Sequence, residues 1–182
     1  MVPRPIGWIS SLSSDGIANL APYSFFNAVS GVPPFVMFSS AGRKDSQTNI
    51  EATGEFVVNM AVADLKDAMN RSSAAFAPGV DEFARAGLEK ARCHNVSAPR
   101  VAASPVALEC VLNSIVPLTA RDGTKARSEV IFGEVVGIHI SDAVIVDGML
   151  DITRIRPLSR LGYMDYAIID EVFPIARPTE TD

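Results

Sequence analysis

Two polar clusters carry the residue types most able to do chemistry. Ala21-Pro22-Tyr23-Ser24-Phe25-Phe26-Asn27 and Ser39-Ser40-Ala41-Gly42-Arg43-Lys44-Asp45-Ser46 both lie between Arg4 and Met60, each beside an apolar run. Hydroxyls, amides, aromatic rings and two cations stand close together there. Such a set suits a ligand with a flat ring at one end and a phosphate at the other. In the second cluster Arg43 and Lys44 supply charge and Ser46 a hydroxyl. A helix beginning at that point would add unpaired amides and a positive end, which attract phosphate. Asp45 brings a negative charge to the same place. In the first cluster Ser24, Phe25, Phe26 and Asn27 offer hydroxyl, aromatic and amide contacts to the edge of a heterocycle. No His, Cys or carboxylate cluster accompanies them, so the chemistry would belong to the ligand rather than to side chains.

Each cluster also fits a purely structural role. Asp45 can cap a helix in a solvated turn. Phe25 and Phe26 can form a core pair at a strand end, with Asn27 in a turn. Trp8, the only tryptophan, suits a core or interface position, and Ser10 and Ser11 suit a plain strand.

The elements that would position these residues are mostly short strands. Ile6 to Leu12 and Ile17 to Ala21 flank Ser13-Ser14-Asp15-Gly16, whose Asp-Gly pair supplies the positive φ of a tight hairpin. Phe35 to Ser39 is a continuous apolar run and predicts a strand buried on both faces. Asp45 is expected to cap a helix over Ser46 to Thr53 that ends at Gly54. Glu55 to Met60 returns as a strand, and Asp64 is expected to cap a helix through about Arg71. Ser72 to Ser104 reads as a long irregular connection with helical turns near Phe83 to Ala86; connections of that length are often functional. Val106 to Val116 alternates, with Leu108, Cys110 and Leu112 on one face and Glu109 and Asn113 on the other. Arg121 to Lys125 is a turn, Glu129 to Ile140 the longest strand, and Ala143 to Ile152 a hairpin about Asp147-Gly148. A last apolar segment runs from Ala167 to Ile175. Helical crossovers do not alternate with strands, so the fold class is mainly β with short helices, centred on a β-barrel (α+β).

Composition narrows the function classes. A chain of 182 residues can bury a substantial core and is read as a single domain over residues 1–182. The balance of 16 basic against 21 acidic side chains disfavours nucleic acid as partner. No apolar stretch is long enough to span a membrane, and the first residues do not read as a signal peptide, so the expected location is the cytoplasm. Cys93 and Cys110 lack metal-ligand spacing and read as free thiols. His94 and His139 share no ligand spacing, and neither a Rossmann nor a P-loop motif occurs. Gly-x-Ser-x-Gly is also absent.

The order and spacing of four segments are more specific than any one of them. They are Pro3-Arg4-Pro5-Ile6-Gly7-Trp8-Ile9-Ser10-Ser11, Asn19 to Asn27, Arg43-Lys44-Asp45-Ser46-x-x-Asn49, and Phe56-Val57-Val58-Asn59. Together with Gly133 to His139 and Arg160-Leu161-Gly162 they closely resemble the flavin reductase-like, FMN-binding split-barrel family. The resemblance implies a homodimer of split barrels with one FMN at each end of the interface. It implies NADH or NADPH as electron donor and a small-molecule acceptor. Ser24, Phe25, Phe26 and Asn27 match the family segment along the flavin ring and ribityl chain, and Ser39 and Ser40 the strand-end hydroxyls. Lys44, Asp45 and Ser46 match the phosphate side, with Arg43 beside them. Members often carry Thr where Ser46 stands, and the hydroxyl is retained. Arg4, Trp8 and Ser10 extend the same assignment. Members of this subtype usually carry a further stretch before the Pro-Arg-Pro segment, whereas this chain begins at Met1-Val2. The implied activity is hydride transfer from a nicotinamide to flavin. The alternative is an FMN-containing electron carrier or sensor that does not itself oxidise nicotinamides. A pyridoxamine-phosphate oxidase relative ranks below both, because the Ala-Pro-Tyr-Ser-Phe-Phe-Asn run resembles the reductase branch.

Overall fold

In the computed structural model, residues 1–179 are described. A two-residue strand β1 (Arg4–Pro5) precedes the hairpin β2 (Gly7–Leu12) and β3 (Ala18–Tyr23). Gly16 closes that hairpin at φ 81°, a conformation its lack of a Cβ allows. β4 (Phe26–Gly31) and β5 (Pro34–Ala41) form the next hairpin, followed by helix α1 (Asp45–Thr53) and β6 (Glu55–Met60). A 3-10 turn, Ala63–Leu65, runs into α2 (Lys66–Arg71), and α3 (Glu82–Ala86) interrupts the long connection. Short strands β7 (Lys90–Ala91) and β8 (Arg100–Val101) pair within it. Two long strands, β9 (Val106–Thr119) and β10 (Lys125–Ile140), then carry much of the sheet. The chain continues through β11 (Ile145–Val146), β12 (Met149–Leu150), α4 (Ile152–Ile155), β13 (Leu158–Arg160) and β14 (Tyr166–Ile168). No helix among the described residues is long and apolar enough to cross a membrane.

The main sheet is seven-stranded in the order β3-β2-β6-β9-β10-β5-β4, and its neighbours pair antiparallel. It curls into a split barrel. Tyr23 on β3 packs against Phe38 of β5 with ring centroids 4.7 Å apart and planes tilted by 49°, although four strands separate them in the sheet. Phe38 in turn meets Phe56 edge-on. Around these rings Ile9, Val36, Ile50, Val58, Cys110 and Ile131 fill the barrel interior. Gly133 is required there, because a Cβ on it would stand 2.3 Å from Phe56 Cζ. A second cluster, with Trp8, Leu20, Met69, Phe83 and Leu158, lies on the outer face of β2 and β3 under α2 and α3.

Several expectations need correction. β5 is buried on alternate residues, Val36, Phe38 and Ser40, rather than on both faces. Asp45 does not cap α1. Lys44 is the N-cap, no side chain caps that end, and Asp45 Oδ2 instead accepts the Gly79 amide at 3.3 Å. Asp64 likewise caps nothing in the 3-10 turn that leads into α2. Glu109 lies on the face of β9 opposite Cys110, as the alternation predicts, and it is buried there because the loop after Ala91 folds over that face. Its Oε2 accepts the Asn95 amide at 2.6 Å and its Oε1 the His94 amide at 3.0 Å. Burial pushes that carboxyl up, but the amides more than offset it and hold it below its ordinary range. α4 has no sequence expectation behind it; Asp151 caps it by accepting the Thr153 and Arg154 amides.

Candidate functional site

β3, β5 and α1 end or begin on one side of the curled sheet, and a cavity of about 470 Å³ opens between them. This lies within the ~300–1,000 Å³ range of small-molecule sites. Tyr23, Ser24 and Phe25 form one wall, Ser39 and Ala41 the end of β5, and Arg43 to Ser46 the helix start. Ser72 to Phe76 and Glu82 close the opposite side.

The helix start is built to receive negative charge. With no side-chain cap, its first-turn amides have no intrahelical acceptor. Lys44 is exposed and forms no ion pair within 4.0 Å among the described residues. Ser46 is buried and its Oγ accepts from Asn19 Nδ2 at 2.8 Å. That bond uses an acceptor lone pair and leaves the hydroxyl proton free to donate. Arg43 lines the rim, but it pairs with Glu51 on the outer surface of α1.

Deeper in, the Tyr23 hydroxyl is buried without a bonding partner. Burial raises its pKa. The hydroxyls of Ser46 and Ser40 lie near enough to offset part of that rise, though not in bonding geometry, and the Asp45 and Glu82 carboxylates add to it. Tyr23 is therefore a neutral donor at the cavity floor. Glu82 Oε2 accepts the Leu20 amide at 3.0 Å. Burial raises the Glu82 pKa, which that amide partly opposes, while Asp45 and Asp81 reinforce the rise.

The predicted residues divide cleanly. Ser24, Phe25, Ser39, Arg43, Lys44, Asp45 and Ser46 share the cavity. Trp8 and Ser10 do not line it; both are fully buried. Trp8 Nε1 donates to Ser72 Oγ at 2.9 Å, so Trp8 supports the cavity wall from behind. Ser10 Oγ donates to Pro99 O at 2.6 Å. Ser40 points into the core and its Oγ donates to Gly42 O at 3.0 Å. Phe26 packs flat on Gly7, where any Cβ would stand 2.6 Å from its ring. Asn27 lies in β4, exposed, with Oδ1 accepting the Ala28 amide. Phe25 and Phe26 are not a core pair, since Phe25 is 67% exposed. Sequence reasoning named no contact at Asn19, although the Asn19 to Asn27 segment carries part of the resemblance, and it missed Glu82 and the Ser73 to Phe76 wall, for which the length of the connection after Ser72 is the signal.

No His/Cys/Asp/Glu group among the described residues could hold a metal ion. Burial pushes the Cys93 thiol up to about 11 and raises Cys110 as well, so neither is a thiolate at neutral pH. His94 and His139 lie outside the cavity.

Known proteins place this arrangement. The family model of the flavin reductase like domain matches residues 1–156. An uncharacterized protein of Aquifex aeolicus is 39% identical over 168 residues, covering 89% of this chain and 82% of its own length. The crystal structure of nitrilotriacetate monooxygenase component B from Bacillus cereus superposes with a TM-score of 0.89 at 32% identity, covering 96% of this chain and 88% of that one. Pseudomonas fluorescens 2-nitrobenzoate 2-nitroreductase superposes with a TM-score of 0.84 at 30% identity, covering 99% and 87%. This chain belongs to the flavin reductase like domain family, a split-barrel family of flavin-related oxidoreductases.

Proposed function

We propose that this chain binds FMN in the cavity between β3, β5 and α1 and passes reducing equivalents through it from NADH or NADPH to a small-molecule acceptor. The observation that carries this reading is one cavity with two chemically different ends. One end holds the uncapped start of α1 with Lys44 and Ser46; the other holds the Phe25 ring and the Ser24 and Ser39 hydroxyls.

The residues present fit the group. Lys44, Ser46 and the first-turn amides of α1 would hold the phosphate, combining a cation, a hydroxyl donor and the positive helix end. Ser24, Ser39 and the unpartnered Tyr23 hydroxyl would donate to the polar edge of the ring system, and Phe25 would cover part of its face. When bound, FMN supplies an electron-accepting ring, which explains why no acid–base pair is needed beside it. The protein's task is then orientation and exclusion of water. Fixed orientation alone contributes up to ~7–11 kcal/mol in the best intramolecular cases.

An exposed apolar edge supports a homodimer. β4 is an edge strand, and Val29, Val32, Val116, Leu118 and Ile138 are exposed on β4, β9, β10 and the β4–β5 turn. An apolar edge of this kind is an aggregation hazard unless a partner covers it. The proposed unit is a cytoplasmic homodimer of one domain per chain, with no nucleic-acid partner.

The test is purification followed by a visible spectrum and an FMN titration. A yellow protein, or a colourless one that binds added FMN, is expected. A colourless protein that does not bind FMN refutes the reading. Steady-state oxidation of NADH and NADPH then separates a reductase from an electron carrier, since a carrier turns over neither donor.

A further inference from the structure

A second cavity, of about 300 Å³, adjoins the first, and Pro22, Ser24 and Ser73 line both. Arg4 and Arg160 stand in its wall. They are Cα partners on the adjacent antiparallel strands β1 and β13, so their side chains leave the sheet on the same face. Like charges placed this way repel unless something negative lies between or beside them.

Among the described residues nothing supplies that charge at ion-pair distance. Among the described residues no carboxylate oxygen lies within 4.0 Å of either guanidinium. Arg4 donates only to neutral oxygens, those of Met1, Ser24 and Leu161 at 3.0, 3.3 and 3.5 Å. Its guanidinium also sits 5.4 Å from the centroid of the Phe25 ring, and its Nε is buried with no partner. Arg160 donates to Tyr163 O and Met164 Sδ and lies over the Tyr166 ring at 4.5 Å. Among the described residues the two guanidiniums are thus held by rings and uncharged acceptors, with no carboxylate paired to either, at the edge of an open cavity. Planar forks of this type match carboxylate and phosphate oxygens.

We propose that Arg4 and Arg160 form an oxyanion subsite for the molecule that reacts in the neighbouring cavity, gripping a carboxylate or phosphate it carries. The proposal rests on the flavin reading of that cavity, and it specifies the reactant as an organic anion. Ser24 links the two sites, because it lines both and accepts from Arg4. A reactant held by the arginines therefore reaches back toward the Phe25 end of the first cavity, not toward Lys44.

The experiment uses the full chain. FMN loading is checked first by absorbance. The protein is then titrated with sodium pyrophosphate, standing for a dinucleotide, and with sodium benzoate, standing for a carboxylate acceptor, by calorimetry and by the perturbation of the flavin spectrum. At least one probe should bind saturably. Arg160→Gln should weaken it about tenfold, as expected for losing one charged hydrogen-bonding partner, with FMN affinity unchanged. Arg160→Lys should recover part of the loss. Preference for pyrophosphate assigns the subsite to the nucleotide donor, and preference for benzoate to a carboxylate acceptor. No binding of either probe to the wild-type chain, or equal binding by Arg160→Gln, overturns the proposal. If FMN itself does not bind, the cavity reading fails instead, and calorimetry with the same probes on the flavin-free protein still decides the arginine pair.

Discussion

Lys44→Ala should weaken FMN binding about tenfold and leave riboflavin binding unchanged. Riboflavin has the same ring and ribityl chain but no phosphate, so it isolates what happens at the start of α1. A hydrogen bond to a charged group contributes ~1.5–3 kcal/mol. Lys44 is exposed, and solvent screening places its share at the low end. About 1.4 kcal/mol corresponds to tenfold in Kd. Binding should survive, because the uncapped amides of α1 and the Ser46 hydroxyl remain in place. Arg43→Ala is the matched control. Arg43 is as close in sequence, but its side chain is 62% exposed and paired with Glu51, so its removal should change FMN affinity less than about twofold. Quenching of flavin fluorescence, titrated at low and high salt, reads all four combinations of variant and ligand. The Lys44 effect should shrink at high salt. Equal losses for FMN and riboflavin, or no loss for FMN, would move the phosphate away from this helix end and break the assigned orientation of the ligand.

Three further substitutions test the supporting structure. Ser46→Ala strands the buried Asn19 amide that donates to Ser46 Oγ at 2.8 Å, which should lower stability by ~1–3 kcal/mol in urea unfolding; Ser46→Thr should restore it. Gly133→Ala should cost ~1–3 kcal/mol or more, because the new methyl would stand 2.3 Å from Phe56 Cζ in a fully buried ring cluster, and Phe56→Leu in the same chain should recover part of the loss. Glu82→Gln tests pH linkage. Its folded pKa is raised by burial, so the folded state binds the proton more tightly than the unfolded one, and wild-type stability falls as pH rises from the ordinary carboxylate pKa to the raised value. The stability of Glu82→Gln relative to wild type should rise across that window and level off above it; unfolding midpoints from pH 4 to 8 that run parallel would refute the shift.

How much of this was legible depends on how local each signal is. The hairpin over β2 and β3 follows from a single Asp-Gly pair, and Gly54 ends α1 at φ 73° as its position predicts. Both are decided within a few residues. The Phe25-Phe26 pair is also local but was read wrongly. Phe25 lies in the bend between β3 and β4 and Phe26 opens β4, so one ring turns out beside Arg4 while the other packs on Gly7. Glu109 obeys strand alternation and lies opposite Cys110, but pattern alone cannot reveal that the loop at His94 and Asn95 covers that side. The far wall of the cavity had no signature of its own. Its place is set by Trp8 bonding Ser72 across 64 residues and Asp45 bonding Gly79 across 34. Trp8, which the resemblance places among the cofactor contacts, is fully buried and bonded to the residue that lines the wall.

That indirect role bears on how the site works. A site whose chemistry belongs to its ligand contributes by holding its contents still, so its worth depends on the rigidity of its walls. The sheet side gains rigidity from the Tyr23, Phe38 and Phe56 rings packed behind it. The connection after α2 is anchored by Phe83 of α3 in the second core cluster, whereas none of Ser73 to Gly79 joins a core cluster. It is fastened at intervals by single polar bonds: Trp8 Nε1 to Ser72 Oγ, Gly79 N to Asp45 Oδ2 and Leu20 N to Glu82 Oε2. Two of these fasteners are buried and one is exposed. Desolvated bonds are the stronger, so the wall is firmest at Ser72 and Glu82 and loosest between them, where Ser73 to Phe76 face the cavity. Ser73 lines both cavities, so this stretch borders the route between them.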